Sequence, residues 1–172
     1  MSLRLFPDDV LFTQRLLRAQ ALYAGRLDGI WGALTEAAMV EFERRAGVIG
    51  DNAGRFDTRS EAQLARLLLP AQVAARAFLS RVLAAGLRVR VISGTRSYAE
   101  QNALFRRGRY GNPGPVVTNA RGGQSLHNFG VAWDVGVFDA QGRYLRDGAA
   151  YGQAGKAGWV DGGEWGGENP GF

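Results

Sequence analysis

The stretch GQSLHNFGVAWDVGVFD, Gly123 to Asp139, carries His127, the single histidine of the chain, and Asp134 a short way beyond it. Val131, Trp133, Val135 and Val137 alternate with Ala132, Asp134 and Gly136, the period-two pattern of a half-buried strand. The residues before it are glycine-rich and polar, so a loop runs into a strand near His127. Asp134 then lies on one face of the strand, with Trp133 and Val135 on the other. A carboxylate on an otherwise apolar strand is costly to bury unless it is paired or bound to a metal. A loop–strand junction can bring an imidazole nitrogen and a carboxylate oxygen onto one ion, and that donor pair suits zinc. A structural hydrogen bond between the two side chains fits the same spacing, and on these residues alone both readings stand.

Working outward, LRVRVIS, Leu87 to Ser93, alternates apolar and basic side chains and predicts a second strand. AQVAARAFLSRVLAAG, Ala71 to Gly86, predicts an amphipathic helix closed by Gly86. In GTRSYAEQNALFRRGR, Gly94 makes a turn, Ser97 caps, and Ala99, Ala103 and Leu104 line a helix. YGNPGPVVTNARGGQS, Tyr110 to Ser125, is a long loop rich in glycine and proline, and long ordered loops in compact domains are usually functional. A turn at Asp139 to Gly142 leads into RYLRDG. Helices and strands are mixed without regular alternation, so the fold class expected is α+β with a small antiparallel sheet.

The first part of the chain is helical. Val10, Leu11, Leu16, Leu17 and Ala21 recur at helical spacing between Asp8 and Tyr23, with Asp8 or Asp9 as the expected cap after Pro7. LDGIWG is a glycine-punctuated loop. Thr35 is the expected cap of a second helix with Ala38, Met39, Phe42 and Ala46 on one face. Thr58 or Ser60 opens a third, carrying Leu64, Leu67 and Leu68, and Pro70 marks a boundary. The expected division is a three-helix unit over 1–69 followed by an α+β unit over 70–172.

Composition narrows the classes. The chain has 172 residues, no cysteine and a net charge of +5, with a pI of about 10.2. Disulfides, cysteine-ligated metals and thiol nucleophiles are excluded. Basic charge draws polyanions. The arginines are scattered, however, with no basic stripe interleaved with aromatics, so a solvated surface is expected rather than nucleic-acid recognition. No apolar run is long enough to span a bilayer and no signal peptide is recognisable. Synthesis in the cytoplasm and a monomer are expected.

Two resemblances sharpen this. Asp28, Gly29, Trp31, Gly32, Thr35, Glu36, Ala38 and Phe42 fit the D-G-x-[WF]-G and T-E-x-A pattern of the peptidoglycan-binding domain of wall hydrolases. The similarity covers roughly residues 8–69 and implies peptidoglycan as partner. Trp31 is there either a core anchor or a sugar-stacking residue. Downstream, Ser125, His127, Gly130, Ala132 and Asp134 form S-x-H-x-x-G-x-A-x-D, which resembles the signature of the M15 zinc peptidases of bacterial cell walls. That group includes D-alanyl-D-alanine carboxypeptidases and dipeptidases and the L-alanyl-D-glutamate endopeptidases of phage lysins. The block from Ser93 to Arg109, VVTNARGGQSLHNFG, and GKAGWVDGGEWGG also resemble the family, especially its endopeptidase-like subgroup.

The resemblance implies a zinc-dependent peptidoglycan peptidase, with His127 and Asp134 as the first two metal ligands. Arg96 would bind a substrate carboxylate or stabilise an oxyanion, as a guanidinium's fixed donors allow; otherwise it is a surface ion pair. Ser125 would hold substrate or loop, and otherwise is a turn hydroxyl. The family pattern ends in a [DE]-x-x-H element giving a base and a third ligand, and this chain has no second histidine. Either Glu168 takes the base position in ENPGF with Gly171 in place of the histidine, or EWGGENPGF aligns so that the chain stops at Phe172 before that element. The second alignment needs no gap. Both imply weak zinc binding and impaired activity, since a catalytic zinc takes three protein ligands. The rival expectation is a non-catalytic wall-binding protein. Delivery to the wall would be by holin-type release or specialised secretion.

Overall fold

The computed structural model describes residues 6–159 and 161–166. Two short strands form its sheet: β1, Arg88–Ser93, pairs antiparallel with β2, Asp134–Phe138. Val89 lies opposite Val137 and Val91 opposite Val135, so the apolar set of each strand faces the same side. The register then slips: the next pair is Ser93 with Asp134. Ile92 is therefore an extra residue, a bulge of the kind that re-aims side chains beside sites. It sets the Ser93 hydroxyl opposite the Asp134 carboxylate.

The core lies under that sheet. Val89, Val91, Val135 and Val137 meet Leu64, Leu67, Ala75, Phe78, Leu79, Val82 and Ala154 in one buried cluster. Each of the larger aliphatic or aromatic side chains contributes about 1.5–3 kcal/mol by leaving water. The main helix beneath the strands is α4, Leu69–Ala84, with Ala75, Phe78, Leu79 and Val82 on its buried face. It starts earlier than the Ala71 expected, because Pro70 fits the first turn, where a missing N–H costs nothing. Helix α6, Gly148–Gly158, capped by Asp147, packs against α4. Trp133 meets the Phe78 ring edge-on and Trp165 stacks on it, at centroid distances of 6.4 and 6.0 Å. The architecture is α+β with a small antiparallel sheet, as the patterning implied.

Helices α1, Pro7–Ala19, and α2, Ala33–Ala53, share a smaller cluster of Leu17, Tyr23, Ala38 and Phe42, joined by Leu22, Met39 and Leu69. Several local expectations change here. Helix α1 begins at Pro7, so Asp8 and Asp9 sit in its first turn, where they favour the helix dipole, and neither is the cap. It ends at Ala19, before Ala21 enters a positive-φ turn. The cap of α2 is Gly32; Thr35 is buried in the first turn, where its hydroxyl accepts from Gln14 Nε2 at 3.2 Å. Helix α3, Thr58–Leu64, is capped by Asp57, whose carboxylate accepts from Ser60 N–H at 3.2 Å. Its Leu64, with Leu67 just beyond, enters the sheet core rather than the α1–α2 cluster, and Ser60 Oγ accepts from Val91 N–H at 3.0 Å. The expected third helix stops at Leu64, so Leu67 and Leu68 lie beyond it in the turn that leads into α4, and helical spacing carries no information on which neighbour covers such residues. Among the described residues no helix is long and apolar enough to cross a membrane.

Candidate functional site

Three segments far apart in sequence converge at the end of the sheet. The first is the turn after β1. Ser97 caps helix α5, Tyr98–Arg106, in a reciprocal capping box with Glu100. That fixes the chain direction at Arg96. The second is the 3-10 turn Leu126–Phe129, opened by Ser125, whose hydroxyl accepts from His127 N–H at 3.4 Å. Gly130 ends it with φ of 68°, a left-handed backbone where a Cβ would also press within 3.1 Å of the Leu68 side chain. The third is the start of β2, which carries Asp134.

Backbone bonds tie these together. Arg96 N–H donates to the His127 carbonyl at 3.0 Å. Buried Asn128 donates to the Arg96 and Ser97 carbonyls at 2.9 and 3.3 Å, and its side-chain oxygen accepts from Gly123 N–H at 2.8 Å. His127 Nδ1 lies 2.7 Å from the Gly94 carbonyl oxygen. A carbonyl only accepts, so Nδ1 carries the proton, and in the neutral ring Nε2 keeps its lone pair. Gly94 is itself constrained: a Cβ there would meet the Gln63 carbonyl oxygen at 2.7 Å.

Nε2 faces Asp134 Oδ1 at 3.4 Å. Two electron-rich atoms held this close call for a cation between them, either a proton on the imidazole or a metal ion. The edge of a tetrahedron with zinc–ligand bonds of 2.0–2.1 Å is roughly 3.3 Å. The pair therefore fits two corners of a zinc site, and the Nδ1–H to carbonyl bond is the outer-shell contact that orients a ligating histidine. Among the described residues, however, no group of three or more His, Asp or Glu side chains could hold a metal. A catalytic zinc takes three protein donors, and the described residues offer a pair.

The Arg96 guanidinium is ion-paired to Asp134 Oδ2 and donates to Ser93 Oγ at 2.9 and 3.1 Å. It also reaches Gln101 Oε1 at 3.4 Å. Burial raises the Asp134 pKa, but the His127 hydrogen bond, the His127 and Arg96 charges and the Ser93 hydroxyl together outweigh it and hold the carboxyl below its usual value. The carboxylate stays ionised near neutrality, as a ligand or counter-ion must.

Arg96, Ser125, His127 and Asp134 thus share one site, while Glu168 lies outside the described residues. Ser93, Gln101 and Asn128 were not singled out from the sequence, and Gly94 was read only as a turn, although each falls in a motif block that carried the resemblance. Gly94 acts through its carbonyl and Asn128 on the carbonyls of Arg96 and Ser97, while the Ser93 and Gln101 side chains meet Arg96 only because the bulge and the turn aim them there. Trp31 is about one-third exposed, and its indole N–H donates to Glu36 at 2.6 Å; it belongs to neither buried cluster.

This geometry, a histidine and an aspartate at a loop–strand junction beneath an arginine, accords with sequence comparison. Residues 65–161 match VanY, described as D-alanyl-D-alanine carboxypeptidase. The match spans more than half of the chain, and the chain belongs to that family. A relative in Bacillus subtilis (strain 168), the peptidoglycan L-alanyl-D-glutamate endopeptidase CwlK, is 38% identical over 92 residues. The alignment covers 48% of this chain and 54% of the relative, so the chain spans about half the length of the curated relative it matches.

Proposed function

We propose that this chain is a peptidoglycan peptidase, acting on an amide bond of the wall peptides, with zinc held by His127 and Asp134. The observation that carries the reading is the His127 Nε2 to Asp134 Oδ1 separation of 3.4 Å, with Nδ1 tied to the Gly94 carbonyl. Family membership supports the reaction class, and the relative's name makes an L-alanyl-D-glutamate bond the first to test. When bound, zinc would supply Lewis-acid polarisation of a carbonyl and a bound water acidic enough to ionise near neutrality.

The protein's own contribution is positional. Arg96, fixed by Ser93 and Gln101, presents planar donors for a substrate carboxylate or a developing oxyanion. Ser125 fixes the turn that aims His127. Glu168 is the candidate base. With two donors among the described residues, zinc affinity and turnover are low in this chain. Its place of action is the cell wall, reached by holin-type release or specialised secretion, and residues 1–69 bind peptidoglycan through the surface around Trp31.

The test is cleavage of purified wall peptides by the full chain with added zinc, beside His127→Ala and Arg96→Ala. Zinc-dependent cleavage lost in both variants supports the reading. Cleavage unchanged by His127→Ala overturns it. A second reading, a non-catalytic wall-binding protein that keeps the peptidase fold, is favoured by the missing third donor among the described residues. It predicts co-sedimentation with peptidoglycan and no cleavage at any zinc concentration.

A further inference from the structure

A groove of about 530 Å³ adjoins the His127–Asp134 site and shares Ser93 and Arg96 with it as a wall. Its floor is apolar, from Ile92, Ala103 and Leu104, and its rim carries Arg66, Arg107 and Glu100. The charges do not balance. Arg96 pairs with Asp134 and belongs to the His127–Asp134 site itself. Arg66 reaches Glu100 only at 3.4 Å with both side chains about half exposed, a contact of little net worth in water. Arg107, exposed at the end of α5, has no carboxylate partner among the described residues. Glu100 is also engaged as the capping-box acceptor of Ser97 N–H at 2.7 Å. Two guanidiniums thus flank a short apolar floor beside the site: Arg66 on a turn whose carbonyl accepts from buried Thr95, and Arg107 at the exposed C-cap of α5, its N–H on the Leu104 carbonyl at 3.1 Å.

We propose that this groove is a substrate subsite for an anionic peptide segment, with Arg66 and Arg107 binding its carboxylates and the Ile92–Leu104 floor taking a small apolar side chain. The proposal rests on the peptidase reading for the nature of the ligand and goes beyond it in assigning the residues that select acidic peptides. Neither arginine touches the reacting atoms, so both are specificity residues.

The experiment uses the full chain, isotopically labelled, titrated with N-acetyl-L-alanyl-D-glutamate and with its diamide and followed by amide chemical shifts. The acidic peptide should perturb Arg66, Leu104 and Arg107 and bind at least tenfold more tightly than the diamide. Arg66→Ala and Arg107→Ala should each weaken it roughly 5- to 10-fold, as loss of a partly screened charge-assisted bond implies. Arg107→Lys should recover part of that loss, and Arg45→Ala on the distant face of α2 should change nothing. Equal binding of acid and diamide, shifts centred elsewhere, equal competition by inorganic phosphate at matched ionic strength, or no binding at all would each overturn the subsite. Cleavage assays separate the two claims. Acid-selective binding without cleavage sinks the peptidase reading and leaves the subsite, whereas cleavage indifferent to peptide charge sinks the subsite alone.

Discussion

Asn128→Ala should be among the most damaging single changes near the site, although Asn128 is not itself a candidate for touching metal or substrate. Its side chain is 1% exposed and makes three hydrogen bonds: to the Arg96 carbonyl, to the Ser97 carbonyl, and from Gly123 N–H. A buried hydrogen bond contributes about 1 kcal/mol net, and stranding its partners costs somewhat more. Three bonds therefore amount to about 3 kcal/mol. In a protein of this size each kcal/mol lowers the melting temperature by about 2–4 °C, so the expected fall is about 6–12 °C. Asn128→Asp makes the sharper comparison. It keeps size and an acceptor for Gly123 N–H, but as a carboxylate it cannot donate to the two carbonyls and adds buried charge. It should be at least as destabilised as the alanine variant. Urea denaturation and thermal unfolding of the three proteins give the values directly. A loss under about 1 kcal/mol for Asn128→Ala would refute the reasoning, because it would mean that the Arg96 and His127 segments are held together without this bridge.

Other expectations follow from the same contacts. Arg76 has a 3% exposed side chain and pairs bidentately with Glu61 at 2.8 Å, so Glu61→Gln leaves a buried cation unmatched and should cost about 3 kcal/mol by urea titration. The Arg76 hydrogen bond holds the Glu61 pKa below its usual value despite burial. Its stabilisation is therefore complete above the unfolded carboxyl value of about 4.3 and is lost as pH falls through the lowered folded value; the Gln variant should lose less stability than the native chain over that acid range. Gly158→Ala would gain about 1 kcal/mol of helix propensity, but the new methyl would run into the Phe78 ring and lie 2.8 Å from Val82 Cγ1. Overpacking wins, with a net loss of about 1–3 kcal/mol in thermal unfolding. Gln14 is fully buried; its amide oxygen accepts from Asp28 and Gly29 N–H at 3.1 and 3.0 Å, and its nitrogen donates to the Ile30 carbonyl at 3.0 Å. Gln14→Ala should cost about 3 kcal/mol and speed limited proteolysis within the Asp28–Gly32 loop, and unchanged proteolysis would show that the loop holds itself.

What the sequence determined is local. Alternation of Val131 to Val137 and of Leu87 to Ser93 marked both strands, and Ser97 with Glu100 three residues on wrote a helix start into the chain. The short spacing between His127 and Asp134, a turn running into a strand, left few ways to keep them apart, and the family signature around them pointed to a metal-peptidase site. Only the tertiary structure decided the rest. The bulge at Ile92 depends on how two strands register against a common core, which neither strand's own pattern records. The His127 ring is oriented by a carbonyl at Gly94, and carbonyls are identical along the chain, so no residue type announces the contact. Leu64 and Leu67 stand out as apolar in sequence, yet whether they meet α1 and α2 or the sheet is a matter of competing burial. The pairing of Arg96 with Asp134 spans 38 positions. Such a contact exists because Ser97, Asn128 and the strand pair hold both backbones at one end of the sheet, and hydrophobic periodicity, which reports only what is buried, is silent on which polar groups the burial brings together.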